Sequence, residues 1–196
     1  MAINMDLQAF SNEVHENAVK HGWWDGERTI DEIVSLIHTE WSEAMEEYRA
    51  GRPMVWHKCH YNGGMCETQD VHDNAGGCIG CSPSMRKPEG AAVEIIDGCI
   101  RILDYLAHKG VPVDNDDVEH TMSLYSQKDR GIPCIVAHLH RFTSMFFGLE
   151  QDSFLLHAFG FAMKYLLVCG IDPFALMAEK HEYNKTRSYK HGGKVC

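Results

Sequence analysis

The pattern that most limits what this chain can fold into is a helical spacing of apolar residues along most of its length. From Thr29 to Ala50, the residues Ile30, Ile33, Val34, Ile37, Trp41, Ala44 and Met45 fall at helical intervals, the period of one helix face. Thr29 followed by Glu32 has the form of a capping box, and Gly51 and Pro53 stop the run. From Gly90 to Lys109, Ile95, Ile96, Cys99, Ile100, Leu103 and Leu106 form a second stripe, closed by Gly110. Further helices are expected over Asp6 to His21, Asp117 to Gln127, Cys134 to Phe147, Ser153 to Val168 and Pro173 to Arg187, with the tail SYKHGGKVC as loop. No segment alternates convincingly as a strand would. The expected class is all-α, a helical bundle, in one domain over residues 1–196.

Residues 52–88 break the pattern. Gly63, Gly64, Gly76, Gly77, Gly80, Pro53, Pro83 and Pro88 punctuate them, and no helical period survives. They read as an insertion in a helical protein. Within them Cys59, Cys66, Cys78 and Cys81 are spaced C-x6-C-x11-C-x2-C. Four thiolates in a glycine-rich loop suit structural zinc, with the CxxC half as a turn chelate. His57, His60 or His72 could replace a cysteine, and a loop with unbound thiols is the competing reading. Cys99, Cys134 and Cys169 lie in apolar helices, where buried packing is expected.

The chain carries 28 acidic residues against 18 basic ones, a formal charge of −10. That disfavours stable nucleic-acid binding, which depends on lysine and arginine. No run approaches the roughly 18 apolar residues of a membrane helix. The segment MAINMDLQAFSNEV lacks a basic start followed by an apolar core, so a cytoplasmic protein is expected.

Two acidic pairs stand out. Glu40 and Glu43 lie on one helix, Glu94 and Asp97 on the next, each pair three residues apart. Such spacing projects both side chains from one helix face. Two facing pairs would gather four carboxylates, which repel unless protons or a cation intervene. Magnesium takes such hard oxygen ligands and keeps waters for a phosphate. On projection, however, Glu94 and Asp97 fall away from their stripe, beside Arg101 and Asp104, as on a plain solvated face. Further on, Lys180, Asn184 and Arg187 fall on one stripe. They could bind phosphate, or simply complement the helix dipole.

The segments HTEWSEAMEEYRAG and KPEGAAVEIIDGCIRILDY, with GWW at Gly22 to Trp24 before them and KHEYNKTRSYKHGGK after them, carry a resemblance. They resemble the ExxE…ExxD signature and its companions in the MazG-like and dimeric-dUTPase-like all-α nucleotide pyrophosphohydrolases. The quoted segments make up 51 of the 196 residues, spread from Gly22 to Lys194. It implies an Mg2+-dependent house-cleaning hydrolase that cleaves a nucleoside triphosphate to the monophosphate and pyrophosphate. It implies Glu40, Glu43, Glu94 and Asp97 as catalytic metal ligands. One of the four would orient or deprotonate the attacking water, with Glu43 as the candidate and the choice within the quartet left open. It favours phosphate contacts from Lys180, Asn184 and Arg187, with weaker candidates in His191 and Lys194. Trp23 and Trp24 could stack on a base, but paired tryptophans more often serve core or edge packing. It implies a tendency to form a homodimer. The chain departs from the family in placing Cys59 to Cys81 between the acidic pairs. Two other functions stay open: hydrolysis of another nucleotide phosphoanhydride, and a non-catalytic zinc-containing adaptor.

The region 131–178 echoes the acidic helix pair. IVAHLH at Ile135 to His140 parallels IVSLIH at Ile33 to His38, and MKYLLVCGIDPFAL parallels RILDYLAHKGVPVD. Aligning Ile33 with Ile135 sets Phe142 and Met145 at the places of Glu40 and Glu43. Aligning Gly110 with Gly170 sets Phe154 and His157 at those of Glu94 and Asp97. An internal duplication with a degenerate second half would leave one acidic quartet per chain. The competing reading is chance likeness between two amphipathic hairpins.

Overall fold

The computed structural model describes residues 3–59, 65–66, 86–126 and 130–193. The helical stripes become α1 (Leu7–Lys20), α2 (Ile30–Arg49), α3 (Ala91–His108), α4 (Asn115–Ser123), α5 (Ile132–Leu149), α6 (Ser153–Val168), α7 (Pro173–Lys185) and α8 (Lys190–Gly193). The chain is all-α in class. Thr29 caps α2 by accepting from the Glu32 backbone N–H at 3.2 Å, which satisfies one of the orphan donors of the first turn. Asp6, Asp114 and Asp172 cap α1, α4 and α7 in the same way. The cap at Asp114 starts α4 earlier than its apolar spacing suggested. Among the described residues no single helix is long and apolar enough to cross a membrane.

Three expectations need correcting. Strands are present: Trp56–Lys58 (β1), Met65–Cys66 (β2) and Lys87–Glu89 (β3). They form an antiparallel sheet in the order β2-β1-β3, with Trp56 opposite Glu89 and His57 opposite Cys66. Strands of two or three residues are too short to display alternation. The tail contains a helical turn, α8, and the Lys190 N–H just there donates to the His21 carbonyl at 3.0 Å. Cys99 is buried, but Cys134 and Cys169 are exposed. They sit in the first turn of α5 and at the C-cap of α6, where neighbouring helices do not reach.

Helix α3 is central. α1, α2, α6 and α7 pack on it, and Ala91 to Ile96 are buried without a break. Gly90 opens it with φ 112, and a Cβ there would lie 2.6 Å from the Met54 carbonyl. That carbonyl accepts from the Ala92 N–H at 2.9 Å, so the loop before β1 closes over the start of α3. Trp41 of α2 is fully buried beside Gly98. Its indole N–H donates to Thr143 Oγ1 at 3.0 Å. Burying a large apolar side chain contributes about 1.5–3 kcal/mol, so Ile37, Ile96, Leu103, Leu139, Phe146 and Phe159 dominate the core.

Helices α2 and α5 run side by side in the same direction. His38 stacks on His140 with ring centroids 4.9 Å apart, and Trp41 reaches Thr143. Both pairs are 102 residues apart, the offset that aligns Ile33 with Ile135. The turns after α3 and α6 also match. Gly110 and Gly170 have φ 67 and 77, and Val111 and Ile171 donate back to Leu106 and Leu166 at 2.9 and 3.0 Å. From there α4 packs on α6 and α7 packs on α3, each crossing to the other half. The two helix pairs thus share these local features, and each is followed by a helix that packs on the other pair.

Candidate metal centre

The packing of α2 on α3 brings the acidic pairs to one place. Ligand oxygens of Glu40, Glu43 and Glu94 lie within 4.8 Å of one another. Glu40 and Glu94 are buried and Glu43 is exposed. Asp97 faces the same cleft but turns its carboxylate to Lys180, with Nζ 2.8 Å from Oδ2. Arg101 Nε donates to Glu40 Oε1 at 2.6 Å. The plain solvated face suggested by projection of Glu94 and Asp97 is therefore absent, because α1 and α7 cover that side of α3.

Electrostatics sets the character of the cleft. Burial pushes Glu94 up to about 9, reinforced by the Asp97 charge and opposed by Lys180. Burial also raises Glu40, although Arg101 pulls the other way. Four carboxyl groups face two close cations, Arg101 and Lys180, so the balance of charge and burial favours the neutral form of Glu94. The donor set fits magnesium in kind, being all hard oxygens. Glu40, Glu43 and Glu94 are the residues that would hold such an ion.

The acids line one wall of a cleft of about 300 Å³, with Lys180, His181 and Asn184 of α7, and Arg187 beyond it, on another. Lys180 is 1% exposed and also donates to the Pro88 carbonyl at 3.3 Å. It therefore ties Asp97 to β3 and has little surface left for a phosphate. Arg187 lines the cleft without an ion pair among the described residues. Asn184 Oδ1 and His181 Nε2 are buried atoms with no hydrogen-bond partner among the described residues. The nearest acid to His181 Nε2 is Glu13, at 3.5 Å. Unpaired buried polar atoms cost about 1–3 kcal/mol each, which a ligand that pairs them would offset.

Trp24 is placed elsewhere. Its ring stacks on His108 with centroids 3.8 Å apart, and its N–H donates to Asp104 at 2.9 Å. Trp23, its neighbour, lines the cleft instead. The companion segments meet around the same site. Gly22 lies against the Tyr189 ring, where a Cβ would come within 2.4 Å, and Tyr189 donates to Asp25. His21 bridges the Asn17 and Arg187 carbonyls at 2.8 and 2.9 Å. Spacing alone missed Arg101 and His181. Arg101 falls four residues after Asp97 on the same face, a signal read there as solvation.

Of the proposed zinc ligands, Cys59 is buried just after β1 and Cys66 lies on the adjacent β2. Cys78 and Cys81 lie outside the described residues, as do His60, His72 and Lys194; His191 lies on α8. His57 Nε2 is engaged by Glu179 Oε1 at 2.6 Å. A larger hollow of about 640 Å³ lies between residues 3–8 and 112–115. Its carboxylates, Asp6 and Asp114, already accept helix-cap N–H bonds, so it offers no free catalytic group of that kind.

No protein-family model, curated protein or solved structure matches the chain.

Proposed function

We propose that the chain is an Mg2+-dependent nucleotide pyrophosphohydrolase of the MazG-like type, splitting a nucleoside triphosphate into monophosphate and pyrophosphate. The observation that carries this reading is the convergence of Glu40, Glu43 and Glu94 in a cleft whose opposite wall holds Arg187 and unpaired Asn184 and His181 atoms. Magnesium on those carboxylates would neutralise charge on phosphate oxygens. The chain's residues divide the remaining work. Arg187 takes a phosphate oxygen. Asn184 Oδ1 accepts from, and His181 Nε2 pairs with, a polar edge of the base or ribose. Arg101 and Lys180 hold Glu40 and Asp97 in position. Glu43, exposed and without an ion pair among the described residues, orients the attacking water and takes its proton. The water oxygen bonds to phosphorus as the bridging P–O bond breaks, and pyrophosphate leaves. A cytoplasmic homodimer with structural zinc on the cysteine insertion belongs to the same proposal.

The test is a magnesium-dependent pyrophosphate-release assay across canonical and modified nucleotides. Glu43→Gln and Asp97→Asn should each abolish turnover with helicity intact. Full activity in either variant would sink the quartet. Release of a monophosphate without pyrophosphate would move the reading to another phosphoanhydride. No release from any nucleotide would favour a zinc-containing adaptor.

A further inference from the structure

The offsets that relate α2 to α5 and α3 to α6 carry the acidic cleft onto a second hollow. Leu36, Thr39, Glu40 and Glu43 correspond to His138, Arg141, Phe142 and Met145, and Arg101 corresponds to Phe161. All five counterparts line one cavity of about 320 Å³, against about 300 Å³ for the acidic cleft. Residues 131–178 thus hold a hollow at the place that corresponds to the acidic cleft, without acids at those positions.

Its chemistry is inverted. Among the described residues no aspartate or glutamate lines it, and Arg130 and Arg141 do. Neither arginine has a carboxylate partner among the described residues. Both press on His138, whose imidazole is held below its ordinary value by burial and then by these two charges. The walls are aromatic. Phe142 and Phe161 meet edge to face at 5.6 Å, and Tyr125 packs edge-on to Phe161 at 5.0 Å. The Tyr125 hydroxyl pairs with His157 Nδ1 at 2.9 Å, and His157 stands at the position of Asp97. An aromatic wall takes a planar ring by stacking, tolerant of which base it is. Two guanidinium groups at one cavity take phosphate oxygens in fork geometry. Inorganic phosphate alone would leave the aromatic wall unfilled, and an uncharged ring would leave both arginines without an anion, although Arg130 already contacts Cys134 Sγ and the Phe161 ring.

We propose that this hollow is a metal-independent binding site for a nucleoside phosphate, with the base against Phe142 and Tyr125 and the phosphate on Arg130 and Arg141. The site stands on its own residues; the choice of a nucleoside phosphate among aromatic anions rests on the hydrolase reading of the first half.

The experiment is calorimetric titration of the full chain, without added magnesium, with AMP, GMP, CMP and UMP, and separately with inorganic phosphate and a naphthalene sulfonate. The expected result is one nucleotide per chain, weakened at least tenfold by Arg141→Glu and by Arg130→Glu. Affinity should be unchanged by Lys109→Ala, at the exposed C-cap of α3, and inorganic phosphate should bind at least tenfold more weakly. The variants alter cavity-rim side chains, and circular dichroism checks their folding. A third variant, Phe142→Glu, restores the acid of the first half and should also abolish binding. Absence of binding by all four nucleotides, or binding lost in Arg187→Ala but kept in Arg141→Glu, overturns the proposal. Binding of the sulfonate alone overturns the nucleotide assignment. Nucleotide binding that persists in a chain inactive on every triphosphate supports this site while removing the hydrolase reading, so the two failures are distinguishable.

Discussion

The Lys180 ammonium sits 2.8 Å from the Asp97 carboxylate, across the interface between α7 and α3. A cation so completely buried is tolerated because Asp97 and the Pro88 carbonyl both receive it. Lys180→Met would keep the stem and remove the charge, leaving Asp97 unpaired. The expected loss is about 3–5 kcal/mol, the usual effect of breaking a buried pair, placed toward the lower end because Asp97 is 18% exposed. Urea denaturation of Lys180→Met, Asp97→Asn and the double variant checks it. Strict additivity would show that the pair contributes no coupling.

Magnesium uptake should expel a proton. In the metal-free protein Glu94 is held up to about 9, so it is protonated at pH 7.5 and must ionise to ligate. Calorimetry in two buffers of different ionisation enthalpy should reveal a release approaching one proton per ion, and Glu94→Gln should remove it. Affinity should rise with pH and level off above about 9. The same shift has a stability sign: without metal, Glu94 stabilises the fold below the ordinary carboxylate range and that contribution is lost as pH rises through about 9.

Gly98→Ala should damage the core beneath the acids. An added Cβ would lie 2.2 Å from the Trp41 ring, which the Thr143 hydrogen bond keeps from moving aside. Overpacking of this kind costs about 1–3 kcal/mol. A lowered denaturation midpoint with altered Trp41 fluorescence is expected; an unchanged midpoint would mean the indole can relocate.

Much of this was open to view in the sequence, and the reasons differ by element. α6 runs from Ser153 to Val168 as its apolar spacing predicts, and Thr29 caps α2 because its hydroxyl reaches the right N–H. The facing of Glu40, Glu43 and Glu94 followed from paired i, i+3 spacing once α2 and α3 packed together. Trp24 could not be read, because a tryptophan beside a glycine turn looks the same whether it meets a base or His108. Lys180 was legible as a cation on the right face but not as a buried one, since burial depends on where α7 lands. The strands escaped for want of length.

The stacked pair His38 and His140 predicts a second pH dependence. Burial holds both imidazoles below the ordinary histidine value, so the unfolded chain takes up protons first as the pH falls. Stability from this pair is present above about pH 6.5 and is lost as the pH drops through the lowered folded values. Glu94 acts in the opposite sense, so the informative quantity is the difference between wild type and His38→Gln. The wild type should lose more stability than the variant between about pH 7 and 5; equal losses would reject it.

Zinc analysis of protein purified without chelator should find about one equivalent, bound by thiolates in the tetrahedral manner. Less than about half an equivalent would count against a zinc site on the cysteine insertion.

The packing of α7 onto α3 has a mechanical consequence. Lys180, Asn184 and Arg187 reach the acidic cleft from residues 173–187, outside the helix pair that carries the acids. A change that displaced α7 would therefore open that cleft as surely as a change in α2 or α3. Held in one polypeptide, the two sides of the cleft meet at a fixed local concentration that dilution cannot alter.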